Sequence, residues 1–166
     1  IATGDSMDEA FHRQKLAGLR RLLDRRAADT LWVVRPENRR YLSGFQAEDA
    51  GLDETAGYLL VTRGRALLVT DSRYTTEAES QVVDFEVVTA RKDFVETLPG
   101  LLERLGTRTL GFDPDYLIWG LHRRVSRTLK NMNPSVRLQP VKGLVEGMRE
   151  IKAPEVRVID PEGEQL

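Results

Sequence analysis

The sequence predicts a three-layer α/β domain in which helices flank a six-stranded mixed sheet. Segments with strand and helix patterns alternate along the chain, which favours parallel strands with helices on both faces. Two strand segments are joined by a short turn at Arg63 and Gly64, which predicts a hairpin and therefore an antiparallel pair. The chain has 166 residues, a length typical of a single domain.

The first two elements follow from the spacing of apolar residues. Leu16, Leu19 and Leu23 recur on one helical face, which predicts a helix over residues 8–28. The apolar, β-branched run TLWVV at residues 30–34 predicts a buried strand.

The next segment, NRRYLSGF at residues 38–45, combines a basic pair, a tyrosine, a serine and a glycine. Pro36 suits the first position of a helix, and Gly44 suits the position just past its end. We therefore predict two turns of helix that end at Gly44. The acidic, turn-rich residues 46–56 that follow predict a loop.

The middle of the chain predicts three strands and a helix. The hairpin strands are predicted at residues 57–62 and 65–70, and a further strand at 85–89. Asp71 or Ser72 can cap a helix that begins between the second and third of these strands.

A capping box opens the next predicted helix. Asp93 is followed three residues later by Glu96, and the helix is predicted to end at Leu105, before Gly106.

The last part of the chain continues the alternation. After a short strand at residues 109–112, Asp113 and Pro114 suit a cap and a first-turn proline, so we predict a helix to about residue 131. The apolar stripe of this helix consists of Leu117, Leu121, Val125 and Leu129. A sixth strand at residues 135–138 and a helix at 141–151 complete the prediction.

Composition argues against several classes of protein. Lys plus Arg number 25 and Asp plus Glu 26, whereas nucleic-acid binders usually carry a basic excess. There is no cysteine for disulfides or cysteine zinc sites, which agrees with a reducing compartment. No apolar stretch approaches the ~20 residues of a membrane span, and no signal peptide is recognisable. We expect a cytoplasmic protein that binds neither nucleic acid nor membrane.

Self-contained catalytic motifs are absent from the sequence. His12 and His122 are far apart and do not have metal-ligand spacing. No glycine-rich phosphate loop and no GxSxG motif occur, although Ser43 precedes a glycine. Asp71 and Asp113 each follow a predicted strand and could bind Mg²⁺ as in a two-metal nuclease. Helix capping is the simpler interpretation of both aspartates.

Two polar segments remain, NRRYLSGF and TDSRYTTEAES, and each follows a predicted strand. In open α/β sheets ligands collect at the carboxyl ends of strands, so both segments are expected at one edge of the sheet. Tyr41, Arg73 and Tyr74 are residue types that bind carboxylates and form interfaces. These segments therefore predict an interface or a substrate rim.

These segments, with LGFDPDYL and the closing LVEGMREIKAPEV, occur in an order that resembles the N-terminal domain of the creatinase, prolidase and aminopeptidase P family. The resemblance rests on residues 38–45, 70–74 and 149–155, within a match over residues 7–156. It implies a ribonuclease-H-like fold that supports dimerisation. A C-terminal catalytic domain is also implied, which binds two divalent metals (Mn²⁺, Co²⁺ or Zn²⁺) and hydrolyses Xaa-Pro bonds.

The resemblance also sets the expected domain boundaries. Residues 1–6 are interpreted as an expression remnant, 7–152 as the creatinase-type N-terminal domain, and 153–166 as the start of a linker to the catalytic domain. Pro161 and Gly163 depart from the long helix that usually follows in the family.

No catalytic or metal-binding residue is assigned within this chain. The expected rim or interface residues are Tyr41, Ser43, Phe45, Asp71, Arg73 and Tyr74. The alternative for Tyr41 is packing in the core, and the alternative for Arg73 is pairing with a nearby acid. Two other functions remain open: a free-standing module that binds a small molecule or peptide, and a metal-dependent nuclease.

Overall fold

The computed structural model describes residues 4–51 and 54–150. A six-stranded mixed sheet lies between two layers of helices, which confirms the predicted three-layer α/β architecture. Ile151 and the expected linker at residues 153–166 lie outside the described residues. None of the described helices is long and apolar enough to cross a membrane.

The chain alternates between helices and strands. The helices are α1 Gly4–Leu23, α2 Pro36–Ser43, α3 Thr75–Gln81, α4 Phe94–Leu105, α5 Trp119–Met132 and α6 Leu144–Arg149. The strands are β1 Thr30–Val33, β2 Gly57–Thr62, β3 Ala66–Thr70, β4 Glu86–Thr89, β5 Thr109–Phe112 and β6 Arg137–Pro140.

The strand order across the sheet is β4-β3-β2-β1-β5-β6. β2 pairs antiparallel with β1 and β3, while the pairs β1–β5, β3–β4 and β5–β6 are parallel. Every strand except β2 therefore runs in the same direction. Their carboxyl ends meet at one edge of the sheet, which we call the carboxyl edge.

A separate hydrophobic core covers each face of the sheet. On one face α1, α2, α3 and α6 pack against alternate residues such as Leu31 and Leu59. On the other face α4 and α5 pack against Trp32 and Leu60. Because β1, β2 and β3 are buried on both faces, their sequences are nearly continuous apolar runs.

Two predicted helix starts were wrong. Asp113 does not cap α5: its carboxylate accepts the Asp115 N–H at 2.9 Å in a tight turn, and α5 begins only at Trp119. Asp71 likewise accepts the Arg73 N–H, so that α3 begins at Thr75. In both places the short aspartate side chain stabilises a turn instead of a helix.

The predicted helix ends at Gly44 and Gly106 were correct. Both glycines adopt the left-handed conformation, with φ of 83° and 67°. Gly44 has a second reason to be glycine, since a Cβ there would lie 2.9 Å from the Gln81 carbonyl oxygen. α2 therefore ends against the last residue of α3, and the chain turns into the core at Phe45.

Arg39 is the largest fully buried side chain of the described residues. Its Nη1 donates to the Gly57 carbonyl at 2.7 Å, and its Nη2 donates to the Ala47 carbonyl at 2.6 Å and to Asp49 at 3.0 Å. A hydrogen bond to Thr55 Oγ1 adds to this set. The guanidinium thus joins α2 to both ends of the predicted 46–56 loop.

We predict that Arg39→Met destabilises the protein by about 3 kcal/mol, because it leaves the Asp49 carboxylate buried without its partner. Urea unfolding followed by circular dichroism measures the change in the free energy of unfolding. Arg40→Met is the matched control, since Arg40 is the next residue and is exposed, and its expected effect is within about 0.5 kcal/mol. Equal effects of the two substitutions would contradict the prediction.

Candidate functional site

The carboxyl edge gathers polar side chains from several elements. Because five strands end there, the residues that follow β1, β3 and β5 lie at the same side of the sheet. α2 follows β1 directly, and the turns at Asp71 and Asp113 follow β3 and β5. This edge is therefore the candidate functional site, as the sequence predicted for its two polar segments.

One side of α2 holds α6 through hydrogen bonds. The Asn38 amide donates to Glu146 at 2.6 Å and its oxygen accepts from Arg149 at 2.6 Å. One turn further along, the Tyr41 hydroxyl donates to the Met148 carbonyl at 3.1 Å. Tyr41 is thus partly buried, with its hydroxyl in use, and it supports the last helix of the described chain.

Ser43 and Phe45 are both fully buried. The Ser43 hydroxyl donates to the Arg39 carbonyl at 2.7 Å and accepts the Phe45 N–H at 3.2 Å. The Phe45 ring packs edge-on against Tyr74, with 6.3 Å between the ring centroids. Neither residue is accessible at a rim, and together they stabilise the end of α2.

Asp71 and Arg73 form a surface pair after β3. Arg73 Nη2 donates to Asp71 at 2.7 Å and its Nε adds a further hydrogen bond. These bonds lower the pKa of the Asp71 carboxyl below its ordinary value. The Arg73 side chain is 74% exposed and lies 5.3 Å from the centroid of the Tyr74 ring. Among the predicted rim residues, Arg73 is the one most accessible to another molecule.

A pair of carboxyl groups links β5 to α6. Burial first, and then the neighbouring Glu146 charge, raise the pKa of Asp113, although the Asp115 N–H opposes them. Burial also opposes ionisation of Glu146, but the hydrogen bond from Asn38 and the nearby Arg35 lower its pKa. Arg35 Nη1 lies 3.2 Å from Glu146. Asp113 is therefore the member of the pair that holds a proton more readily.

A shared metal site for Asp71 and Asp113 does not fit this geometry. The two residues follow β3 and β5, which are separated by β2 and β1, or roughly 14 Å at the usual strand spacing. Paired catalytic metals lie about 4 Å apart. His12 and His122 lie on α1 and α5, on opposite faces of the sheet. Within residues 4–51 and 54–150, no three His, Asp or Glu side chains cluster as metal ligands would.

Several spaces open near the carboxyl edge. The first lies between Val33, Phe112 and Val145, and its volume of about 30 Å³ holds only one or two waters. The second is a groove of about 320 Å³ on the α4/α5 face, between the turn at Arg73 and the start of α4. A third space, a groove of about 380 Å³, lies beside α2 and is lined by His12, Arg40 and Tyr41. The two grooves are each large enough for a small ligand, whereas the first space is not.

Sequence reasoning missed Arg39, Asn38, Glu146 and the groove. One local signal existed for Arg39, since it precedes Leu42 by three residues and so lies on the buried face of α2. The groove had none, because its walls come from β1, β2, α4 and α5.

We predict that Asp113→Asn stabilises the protein at pH 7 by about 0.5 kcal/mol, because it removes one carboxylate from a partly exposed pair and keeps the acceptor for the Asp115 N–H. The folded-state pKa of Asp113 is raised, so its contribution to stability is fully present below the unfolded pKa. That contribution is lost as the pH rises through the folded pKa. The gain should therefore shrink near pH 4, which urea unfolding at both pH values measures. If Asp113→Asn stabilises the protein equally at pH 7 and at pH 4, the raised pKa of Asp113 is refuted.

Comparison with known proteins identifies one family. Residues 15–151 match the family model described as the Creatinase/Prolidase N-terminal domain. The uncharacterized peptidase YqhT of Bacillus subtilis is 29% identical over 141 residues, which cover 85% of this chain. The chain spans 37% of the length of that relative.

Two solved structures share the fold. The Xaa-Pro dipeptidase from Bacillus anthracis matches with a TM-score of 0.74 and 28% identity, over 86% of this chain and 37% of that one. The N-terminal domain of the cytoplasmic peptidase PepQ from Mycobacterium tuberculosis matches with a TM-score of 0.69 and 29% identity, over 82% of this chain and 98% of that one. The chain belongs to the creatinase/prolidase N-terminal domain family.

Proposed function

We propose that this chain is the non-catalytic N-terminal domain of a longer, metal-dependent peptidase of the prolidase or aminopeptidase P type. The observation that carries the proposal is the pattern of coverage. The match extends over 86% of this chain but only 37% of the Xaa-Pro dipeptidase, whereas it extends over 98% of an isolated N-terminal domain. The remaining length of such a peptidase is sufficient for a separate catalytic domain.

The catalytic metals belong to that second domain. In the described part of this chain, no three His, Asp or Glu side chains come together as a set of metal ligands. Two divalent ions, Mn²⁺, Co²⁺ or Zn²⁺, would supply an activated water for attack on the Xaa-Pro amide. This chain would contribute binding and exclusion of water at the edge of that site.

Arg73 is the residue we assign to the substrate rim. Its exposed guanidinium is oriented by Asp71, through hydrogen bonds to both carboxylate oxygens. A guanidinium has five N–H donors, so this pairing leaves donors for a peptide carboxylate or carbonyl. Asp71 positions Arg73, and Tyr74 packs beneath it. Tyr41, Ser43 and Phe45 instead support the fold of the edge.

We further propose a cytoplasmic homodimer. The described surface exposes large apolar side chains, among them Trp119 at 71% and Phe11 at 56%. Exposed tryptophan is typical of the energetic centre of interfaces. The cytoplasmic assignment is supported by the structural match to a peptidase described as cytoplasmic.

Of the two alternative functions, only one gains support. The separation of Asp71 from Asp113 disfavours a two-metal nuclease. The groove on the α4/α5 face favours a binding function of the chain itself.

Full-length protein should hydrolyse Xaa-Pro dipeptides or peptides with Xaa-Pro at their amino terminus when Mn²⁺, Co²⁺ or Zn²⁺ is present. The 166-residue chain should not do so. Release of the amino-terminal residue, measured by chromatography with and without a chelator, tests this. A full-length protein that is folded and metal-loaded but inactive on both substrate types would overturn the peptidase proposal.

In the full-length enzyme, Arg73→Ala should raise KM about fivefold with little change in kcat, because it removes binding that is common to the ground and transition states. Arg63→Ala is the matched control. Arg63 also pairs with an aspartate, Asp24, but it lies in the β2–β3 turn at the opposite edge of the sheet. If both variants keep the KM of the parent enzyme, Arg73 has only a structural role.

A further inference from the structure

The groove on the α4/α5 face has an aromatic wall. Trp32 and Tyr58 pack edge-on with ring centroids 6.1 Å apart, and Tyr58 packs edge-on against Phe94 at 5.6 Å. All three rings line the groove together with Leu121. Apolar and aromatic walls of this kind bind rings and aliphatic side chains.

Trp32 contributes a buried indole to the wall of the groove. The residue is only 5% exposed, and its indole Nε1–H has no hydrogen-bond acceptor among the residues that the structure describes. Buried donors are rarely left without an acceptor in folded proteins. The Nε1 atom itself is enclosed, and Trp32 lines both the groove and the small cavity beside Val33 and Phe112.

The rim of the groove carries both signs of charge. Arg124 Nη2 donates to Asp93 at 2.5 Å on the α4/α5 side, and Arg73 pairs with Asp71 on the β3 side. Glu54 lines the same groove.

The three carboxylates and two guanidiniums offer acceptors for an ammonium group and spare N–H donors for a carboxylate. A purely anionic ligand would meet more carboxylates than guanidiniums, and a purely cationic ligand would leave the guanidinium donors unused.

We propose that this groove binds a small apolar zwitterion, namely a free amino acid or short peptide with an apolar or aromatic side chain. The side chain packs against the ring of Trp32 and its neighbours. The carboxylate accepts hydrogen bonds from Arg124 or Arg73, and the ammonium group lies toward Glu54 and Asp71. The site belongs to this chain alone, so it can be tested without catalysis.

The test uses the 166-residue chain with Trp119→Phe, which leaves Trp32 as the single tryptophan. L-phenylalanine is titrated while the fluorescence of Trp32 and the ¹H–¹⁵N signal of its indole are followed. A saturable change is expected with a Kd of about 1 mM, in keeping with a ligand of this size. L-phenylalaninamide lacks the carboxylate and N-acetyl-L-phenylalanine lacks the ammonium group, so each should bind about fivefold more weakly or worse.

Substitutions in the rim show which guanidinium binds the carboxylate of the ligand. Arg124→Gln should weaken the binding of L-phenylalanine but leave the affinity for L-phenylalaninamide unchanged. Arg127 lies on the same helix and outside the groove, so Arg127→Gln should leave both affinities unchanged. Arg73→Gln, on the other side of the rim, is compared for the same two probes. Urea unfolding of each variant verifies that it is folded.

Two results would overturn the proposal: no saturable change in the Trp32 signals, or equal affinity for all three probes. Neither result depends on whether the full-length protein is a peptidase.

Discussion

The charge of Arg39 is completely buried, and a guanidinium cannot lose its proton to avoid the cost of leaving water. It is stable in the core only while Asp49 and the carbonyls of Ala47 and Gly57 surround it. This requirement fixes the orientation of α2 and the position at which β2 begins. A polar segment that would otherwise be a free surface loop is thereby held at both ends. Thr55, which also binds Arg39, is brought to the wall of the groove.

The direction of the strands determines where function can reside. With β2 alone running against the others, the turns after β1, β3 and β5 all open at one edge. The opposite edge carries the β2–β3 turn, where Arg63 pairs with Asp24 on the surface. Arg73 and the other residues that line the groove are therefore close together because of topology, although they are scattered along the sequence.

Much of the fold could be predicted because its signals are local. Left-handed glycines at Gly44 and Gly106 ended their helices as expected, and the hairpin strands paired as the turn indicated. The predicted start of α5 was wrong because Asp113 and Pro114 suit a tight turn as well as the start of a helix. No local sequence pattern distinguishes these two structures. The layer order and the parallel pairing followed from alternation alone.

The site was less predictable because its decisive contacts are not local. Arg39 and Arg40 are identical neighbours in sequence, yet one is fully buried and the other exposed, and only partners 8 to 18 residues away make the difference. Trp32 and Arg124 reach the same groove from strands and helices about half the chain apart. Arg73 was identifiable because it follows a strand, but its pairing with Asp71 depends on the turn geometry.

The side chains of adjacent residues in α2 point about 100° apart, so neighbouring residues contact different parts of the protein. Asn38 bonds to Glu146 and Arg149 of α6, while Arg39 bonds to the segment that leads into β2. One short helix thus fixes both the last described helix and the wall of the groove. A displacement of α6 that preserved the Asn38 hydrogen bonds would have to carry α2 with it. If Arg39 moved away from its acceptors, its charge would remain in the apolar core without hydrogen bonds. The Gly57 carbonyl, at the start of β2, would therefore have to move together with Arg39. The segment NRRYLSGF therefore connects α6 to the start of β2 at the carboxyl edge.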